Sequence, residues 1–311
     1  MNVKMNIAVV HGGTSSESAI STKNAGYIAS ALEENGHIVS MLEFDENIYM
    51  NLQQNKPQLV FLAVQGKYHG DGTLQSICEH LRLPYTGSKS TAAAIINDKC
   101  LCKKICAYHG IRTPEFIYMN KQTFFATPKL ALLEKIEKVM SYPVVAKAIT
   151  QGGSYGIEFI QSRDDYEKIA QTFNYDDEII IEQFIKGKFA TTSILEIEKV
   201  STALPTLTGE NVNGEQKDMV LFNKAFTVKE ADLSTELKEE LAQISIEVFH
   251  IVNAKNYARI DYMIEEETNL PYFIEINAVP GLKPESFYPH AAARYGLSFN
   301  DLIEIIVRNE L

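Results

Sequence analysis

The feature that most restricts how this chain can fold is a rhythm in its first third: short apolar runs of strand length, each bounded by turn residues. MNIAVV (residues 5 to 10) ends at His11-Gly12-Gly13 and leads into a helix-like stretch from about Ser16 to Glu34. HIVSMLEF and QLVFLAV repeat the pattern of a short buried strand. Strands alternating with helices imply parallel pairing, so the first ~95 residues are expected to form a doubly wound α/β lobe. Ligands of such sheets gather at the carboxyl ends of the strands. Two glycine-bearing turns, His11-Gly12-Gly13 and Gln65-Gly66, sit at ends of that kind.

A second region opens with DKCLCKKICAYHG, a helix ending at Gly110, and continues through RTPEFIYM and YPVVAKAI, a strand carrying Lys147. The glycine-rich turn QGGSYG, a helix and the strand EIIIEQFI follow. The third region begins near Gly187, with strands around TTSILEI and MVLFNKAF, a long helix from about Ser234 to Val252, and the strand pair ARIDYMI and PYFIEIN. A closing helix runs from about Phe299 to Arg308. The 311 residues would suit two domains or three smaller lobes, and the divisions expected are 1–96, 97–185 and 186–311.

With 45% apolar and 22% charged residues the composition is that of a globular protein. No run approaches the roughly 18 apolar residues of a membrane span. The start of the chain lacks the long apolar region of a signal peptide, so a cytoplasmic protein is expected. A net charge of -11 argues against a nucleic-acid surface but not against one nucleotide in a locally basic cleft. Cys78, Cys100, Cys102 and Cys106 lack paired C-x-x-C spacing and read as reduced thiols, three of them on one helix.

The most informative segment is ARIDYMIEEETNLPYFIEIN, in which Arg259, Asp261, Glu275 and Asn277 alternate within two strands. Each pair then projects from one face of its own strand, and pairing through the EEETNLP loop would bring three oxygen-bearing side chains together. Hard cations such as Mg²⁺ take carboxylate and amide oxygens and keep substrate phosphates as further ligands. A solvent-facing polar stripe on an edge hairpin is the other reading. QGGSYG beside Lys147 has the glycines of a phosphate loop but is not a Walker A motif, and HGGTSSES is not a dinucleotide fingerprint. Each glycine cluster is open to a simple turn as well.

Taken in order, HGGTSSESAIS (11 to 21), GDGTLQ (70 to 75), LPYTGSKSTAAAIINDK (83 to 99), YPVVAKAITQGGSYG (142 to 156), IIIEQFIKG (179 to 187), RID (259 to 261) and FIEINAVPGLKPESFYP (273 to 289) resemble the D-alanine–D-alanine ligases of the ATP-grasp superfamily over essentially the whole chain. That resemblance implies an N-terminal α/β lobe followed by two α+β lobes that clasp ATP, a homodimer, and small amino-acid substrates with no nucleic-acid or membrane partner. It implies an acyl phosphate intermediate and a dipeptide for a peptidoglycan precursor. It assigns Lys99 and Lys147 to the ATP phosphates, with Ser154 and Tyr155 in the adjoining loop, Glu182, Gln183, Phe184 and Ile185 to the adenine hinge, and Lys224 to a mobile loop. It assigns Asp261, Glu275 and Asn277 to two Mg²⁺ ions, or Mn²⁺ in their place. Glu17 matches the anchor of the first amino acid's ammonium, Arg259 and Gly281 the surroundings of the reacting centre, and Ser286 the receiver of the second substrate's carboxylate.

The departures from the family pattern fall on the substrate side. Gln65 stands where the family has histidine, Gly153 where it has a loop serine, Phe189 where it has a ribose-binding acid, Ala225 where it has a tyrosine, and Lys283 where threonine is frequent. Three functions are therefore weighed: D-alanine–D-alanine ligation, a related ligase joining other amino acids, and a nucleotide-binding regulator without catalysis. The three oxygen ligands argue against the last.

Overall fold

The structure is a computed structural model, and it describes residues 4–15, 17–66, 70–211 and 226–311. Three sheets follow one another along the chain. The first is parallel, in the order β2-β1-β3, from β1 (Asn6–His11), β2 (Ile38–Glu43) and β3 (Leu59–Leu62), with the helix Ser18–Glu34 crossing between the first two. Ile7 to Val10 are wholly buried, as a parallel strand covered on both faces requires, and this is why that run reads as continuously apolar.

The second sheet is antiparallel, β4-β7-β5-β6, from β4 (Phe116–Asn120), β5 (Val144–Ala148), β6 (Ile157–Ile160) and β7 (Glu178–Gln183). Alternation decides what each face carries. Val144, Ala146, Ile179 and Ile181 enter the core beneath the helices Lys129–Val139 and Tyr166–Thr172, so Val145, Lys147, Ile180 and Glu182 point the other way. The register pairs Lys147 with Ile180 and Val145 with Glu182, which makes Lys147 and Glu182 diagonal neighbours on one face.

The third sheet contains β8 (Gly187–Ile197), β9 (Val200–Ala203), β10 (Leu207–Asn211), β11 (Phe226–Glu230), β12 (Tyr257–Glu265) and β13 (Pro271–Asn277). Its order is β11-β10-β8-β12-β13, with β9 on β8. The long helix forms over Thr235–Ile251, started by Ser234, whose hydroxyl accepts from the Leu237 N–H. The strand expected at MVLFNKAF lies outside the described residues except for Phe226, where β11 begins.

The closing helix Phe299–Arg308 is opened by a reciprocal Ser298–Asp301 capping box. It packs far from its neighbours in sequence: Leu302, Ile303, Ile306 and Val307 share one core with Ile7, Val9, Ile28 and Phe61 of the first sheet and its helix. His37 Nε2 meets Glu304 at 2.9 Å across the same junction.

Candidate active site

Two clefts open between the sheets and share a wall. The first, of about 750 Å³, lies against the second sheet, with Val145, Ile157, Phe184, Phe189 and Met263 as apolar surfaces and Lys147 and Glu182 at its base. The second, of about 1230 Å³, lies toward the first sheet and holds Glu17, Gln65, Arg259, Asn277, Gly281 and Ser286. Lys99, Gln151, Gly152, Gly153 and Glu275 border both.

The metal candidates come together as the strand alternation predicts. β12 and β13 pair antiparallel, Arg259 opposite Asn277 and Asp261 opposite Glu275, with a bulge directly after Asp261. Asp261 is 1% exposed, which rules out a solvent-facing stripe. Arg259 donates to both Asp261 oxygens, at 2.9 and 2.7 Å; Thr191 Oγ1 adds a bond at 2.6 Å and Asn277 Nδ2 one at 3.4 Å. Among the described residues no three His, Cys, Asp or Glu side chains form a metal cage of their own. Two carboxylates and an amide suit an ion that keeps water and substrate phosphates as its remaining ligands, which is the habit of Mg²⁺.

Both expected phosphate lysines rest on carboxylates. Lys99, the first residue of the helix Lys99–Tyr108, lies 3.4 Å from Glu275 and donates to the Gln151 carbonyl at 2.6 Å. Lys147 pairs with Glu182. Burial pushes Glu275 up, but Lys99, Lys147 and Arg259 outweigh it and hold the carboxyl below its ordinary range. The hinge residues Gln183, Phe184 and Ile185 line the first cleft, as does Ser154, whereas Tyr155 lies on the second. Lys224 is outside the described residues.

The second cleft is built differently. Burial raises the pKa of Glu17, with Glu275 adding to the rise and Lys99 and Arg259 opposing it. Gly152 lies against that side chain: a Cβ there would stand 2.5 Å from Glu17 Oε2. Gly281 faces Ser286, and a Cβ on it would lie 3.0 Å from Ser286 Oγ. Ser286 precedes the helix Phe287–Tyr295 without spending its hydroxyl on a side-chain cap, so the hydroxyl and the helix start face the cleft together.

Gln65 is fixed by two bonds, accepting from Asn24 Nδ2 at 3.1 Å and donating to the Val279 carbonyl at 3.0 Å. Comparisons with known proteins decide the family. A family model described as "D-ala D-ala ligase C-terminus" matches residues 105–308. The D-alanine–D-alanine ligase of Pelotomaculum thermopropionicum is 30% identical over 306 residues, covering 97% of this chain and 96% of its own; that of Aquifex aeolicus is 32% identical over 304 residues, covering 97% and 100%. The chain belongs to the D-alanine–D-alanine ligase family. A solved D-alanine–D-alanine ligase from Bacillus anthracis, complexed with ATP, superposes with a TM-score of 0.82 at 28% identity, covering 98% of this chain and 97% of that one. The fold is accordingly the ATP-grasp architecture of this family. No helix among the described residues is long and apolar enough to cross a membrane.

Within that family frame, two residues of the site escaped sequence reasoning. Asn24 sits on the buried side of the helix Ser18–Glu34 and holds Gln65. Lys103 lies fully buried one turn after Lys99 and meets Glu182 at 3.1 Å. Its i+4 spacing from Lys99 puts both on one helix face, but that spacing alone does not distinguish a buried lysine from a solvated one.

Proposed function

We propose that this chain is an ATP-dependent D-alanine–D-alanine ligase, making the dipeptide of a peptidoglycan precursor with release of ADP and phosphate. The observation that carries the proposal is the common wall of the two clefts, at which a nucleotide on one side and an amino acid on the other meet beside Lys99 and Glu275. In this reading Glu17 anchors the ammonium of the first amino acid, whose carboxylate attacks the γ-phosphorus of ATP; ADP leaves and an acyl phosphate forms. Lys99 and Lys147 hold the phosphates, the Glu182–Ile185 hinge takes the adenine, and the Ser154–Tyr155 loop covers them. Asp261, Glu275 and Asn277 would hold Mg²⁺, or Mn²⁺, which supplies neutralising charge for the transferred phosphoryl group.

The second amino acid places its carboxylate at Ser286 and the positive end of the helix Phe287–Tyr295. Its amine attacks the acyl carbon, phosphate leaves with the electrons of the broken C–O bond, and the amine proton is lost as the C–N bond closes. Arg259 and the Gly281 backbone face the oxygen that becomes negative in between. A homodimer, a cytoplasmic location and lobes dividing at 1–96, 97–185 and 186–311 belong to the same proposal. Light scattering giving the mass of one chain would remove the dimer.

A second reading, a related ligase joining other amino acids, is favoured by Gln65. Its neutral carboxamide, fixed between Asn24 and Val279, occupies the family's histidine position. Incubation with ATP, Mg²⁺ and single or paired D- and L-amino acids separates the two readings through phosphate release and product mass. The first expects release and a dipeptide with D-alanine alone; release only with another pair establishes the second.

A further inference from the structure

Lys103 borders neither cleft, yet it carries one of the most deeply buried charges in the protein. Its ammonium forms an ion pair with Glu182 Oε2 at 3.1 Å and donates to Thr113 Oγ1 at 3.1 Å and the Phe273 carbonyl at 3.5 Å. Glu182, 2% exposed, is therefore held by two lysines, Lys103 from the helix behind it and Lys147 from β5. Of the two, Lys147 alone borders the nucleotide cleft.

We propose that Lys103 is the counter-ion that frees Lys147 for the phosphates of the nucleotide, which makes Lys103 a positioning residue for the reaction. A buried carboxylate with a single lysine forms a neutral pair, and drawing that lysine toward a phosphate would leave a bare anion in the protein interior, a costly arrangement. Two lysines on one carboxylate give the group one net positive charge. Lys147 then turns to a phosphate while Lys103 keeps Glu182 neutralised. Burial pushes Glu182 up, but Lys103 and Lys147 outweigh it and hold its carboxyl below the ordinary range; burial lowers Lys103 in turn, with Glu182 opposing that fall and Lys147 adding to it. Thr113 and Phe273 anchor Lys103 from outside the cleft, so its position does not depend on what the cleft holds.

The proposal rests on the assignment of Lys147 to phosphate, and a double-mutant cycle separates the two. The ATP KM, kcat and inhibition by adenosine are measured for the wild type, Lys103→Met, Glu182→Gln and the double variant, with folding checked by circular dichroism. Lys103→Met is expected to raise the ATP KM at least about tenfold, while kcat and inhibition by adenosine, which has no phosphates, stay within about threefold. In the Glu182→Gln background the same change should move the ATP KM less than about threefold, because the carboxylate that would retain Lys147 is gone. An equal rise in both backgrounds, or a parallel loss of adenosine inhibition, overturns the proposal and leaves Lys103 a packing residue. If Lys103→Met does not fold, Lys103→Arg decides: an ATP KM near that of the wild type supports a counter-ion, and a tenfold rise overturns it. An unchanged ATP KM in Lys147→Ala removes the phosphate assignment itself, and the counter-ion with it.

Discussion

The two clefts that meet at Lys99 and Glu275 are made of different chemistry. On the nucleotide side, Lys99, Lys147 and Lys103 are set against Glu275 and Glu182, and Arg259 closes on Asp261 where the clefts adjoin. On the amino-acid side, Arg259, Lys283 and the shared Lys99 and Glu275 border the cavity. They are joined there by Glu17, the acid that burial has pushed up, with the Gln65 carboxamide held by Asn24, a glycine, a serine and a helix start. A polyphosphate is recognised by point charges that must be neutralised in its absence and exchanged in its presence, whereas a small zwitterion is selected by shape and a few dipoles. Loss of a charge on the nucleotide side should therefore cost much and spare substrate choice. Changes on the other side should cost less and fall on one substrate.

The largest effect is expected at the seam. Arg259→Met leaves Asp261 without its bidentate partner and, in the proposed reaction, removes a donor to the developing negative oxygen, so kcat should fall about 10²- to 10³-fold. Single-turnover phosphate release measures this, and a kcat within tenfold of the wild type would place Arg259 outside the chemistry. Next comes Lys147→Ala, expected to raise the ATP KM about 10- to 100-fold with little change in the amino-acid KM. Equal changes in both would erase the contrast between the clefts.

A smaller and more selective effect is expected from Gly281→Ala. The new methyl meets Ser286 Oγ at 3.0 Å, and overpacking of that kind costs about 1 to 3 kcal/mol. The KM of the second amino acid should rise while that of ATP stays put; isothermal titration with a nonhydrolysable ATP analogue checks the latter. The mildest is a pH effect. Glu17 must be ionised to hold an ammonium, and because burial raises its pKa, that form is lost at a higher pH than the ~4.3 of an ordinary glutamate. The amino-acid kcat/KM should decline on acidification before that point is reached, and Glu17→Gln should flatten this limb. A limb that survives in Glu17→Gln belongs to another group.

The same contrast governs what the sequence made legible. Period-2 alternation put Arg259 with Asp261 and Glu275 with Asn277 on one face of each strand, and the antiparallel register sets Asp261 opposite Glu275. Lys99 and Lys147 stood in motifs whose order marked them. Lys103 did not, because a lysine in a helix is ordinarily solvated, and nothing local reveals that Glu182 of a distant strand lies beneath it. Gln65 was visible as a departure, but its partners Asn24 and Val279 arrive from a helix and from the segment after β13. The closing helix, expected from about Phe299 to Arg308, forms over Phe299–Arg308, and its apolar face repeats at helical spacing. Such a face shows that something must cover it, not which sheet does.

That last pairing has a temporal side. Leu302, Ile303, Ile306 and Val307 complete the core in which Ile7, Val9 and Phe61 are buried, so residues roughly 240 to 300 positions apart depend on one another. During synthesis, the first sheet emerges with part of its apolar surface uncovered and keeps it so until the helix Phe299–Arg308 has been made. Closing so long a loop is slow relative to local contacts. The lobe proposed to hold the first amino acid is thus translated well before the helix that covers it, and settles only once that helix arrives.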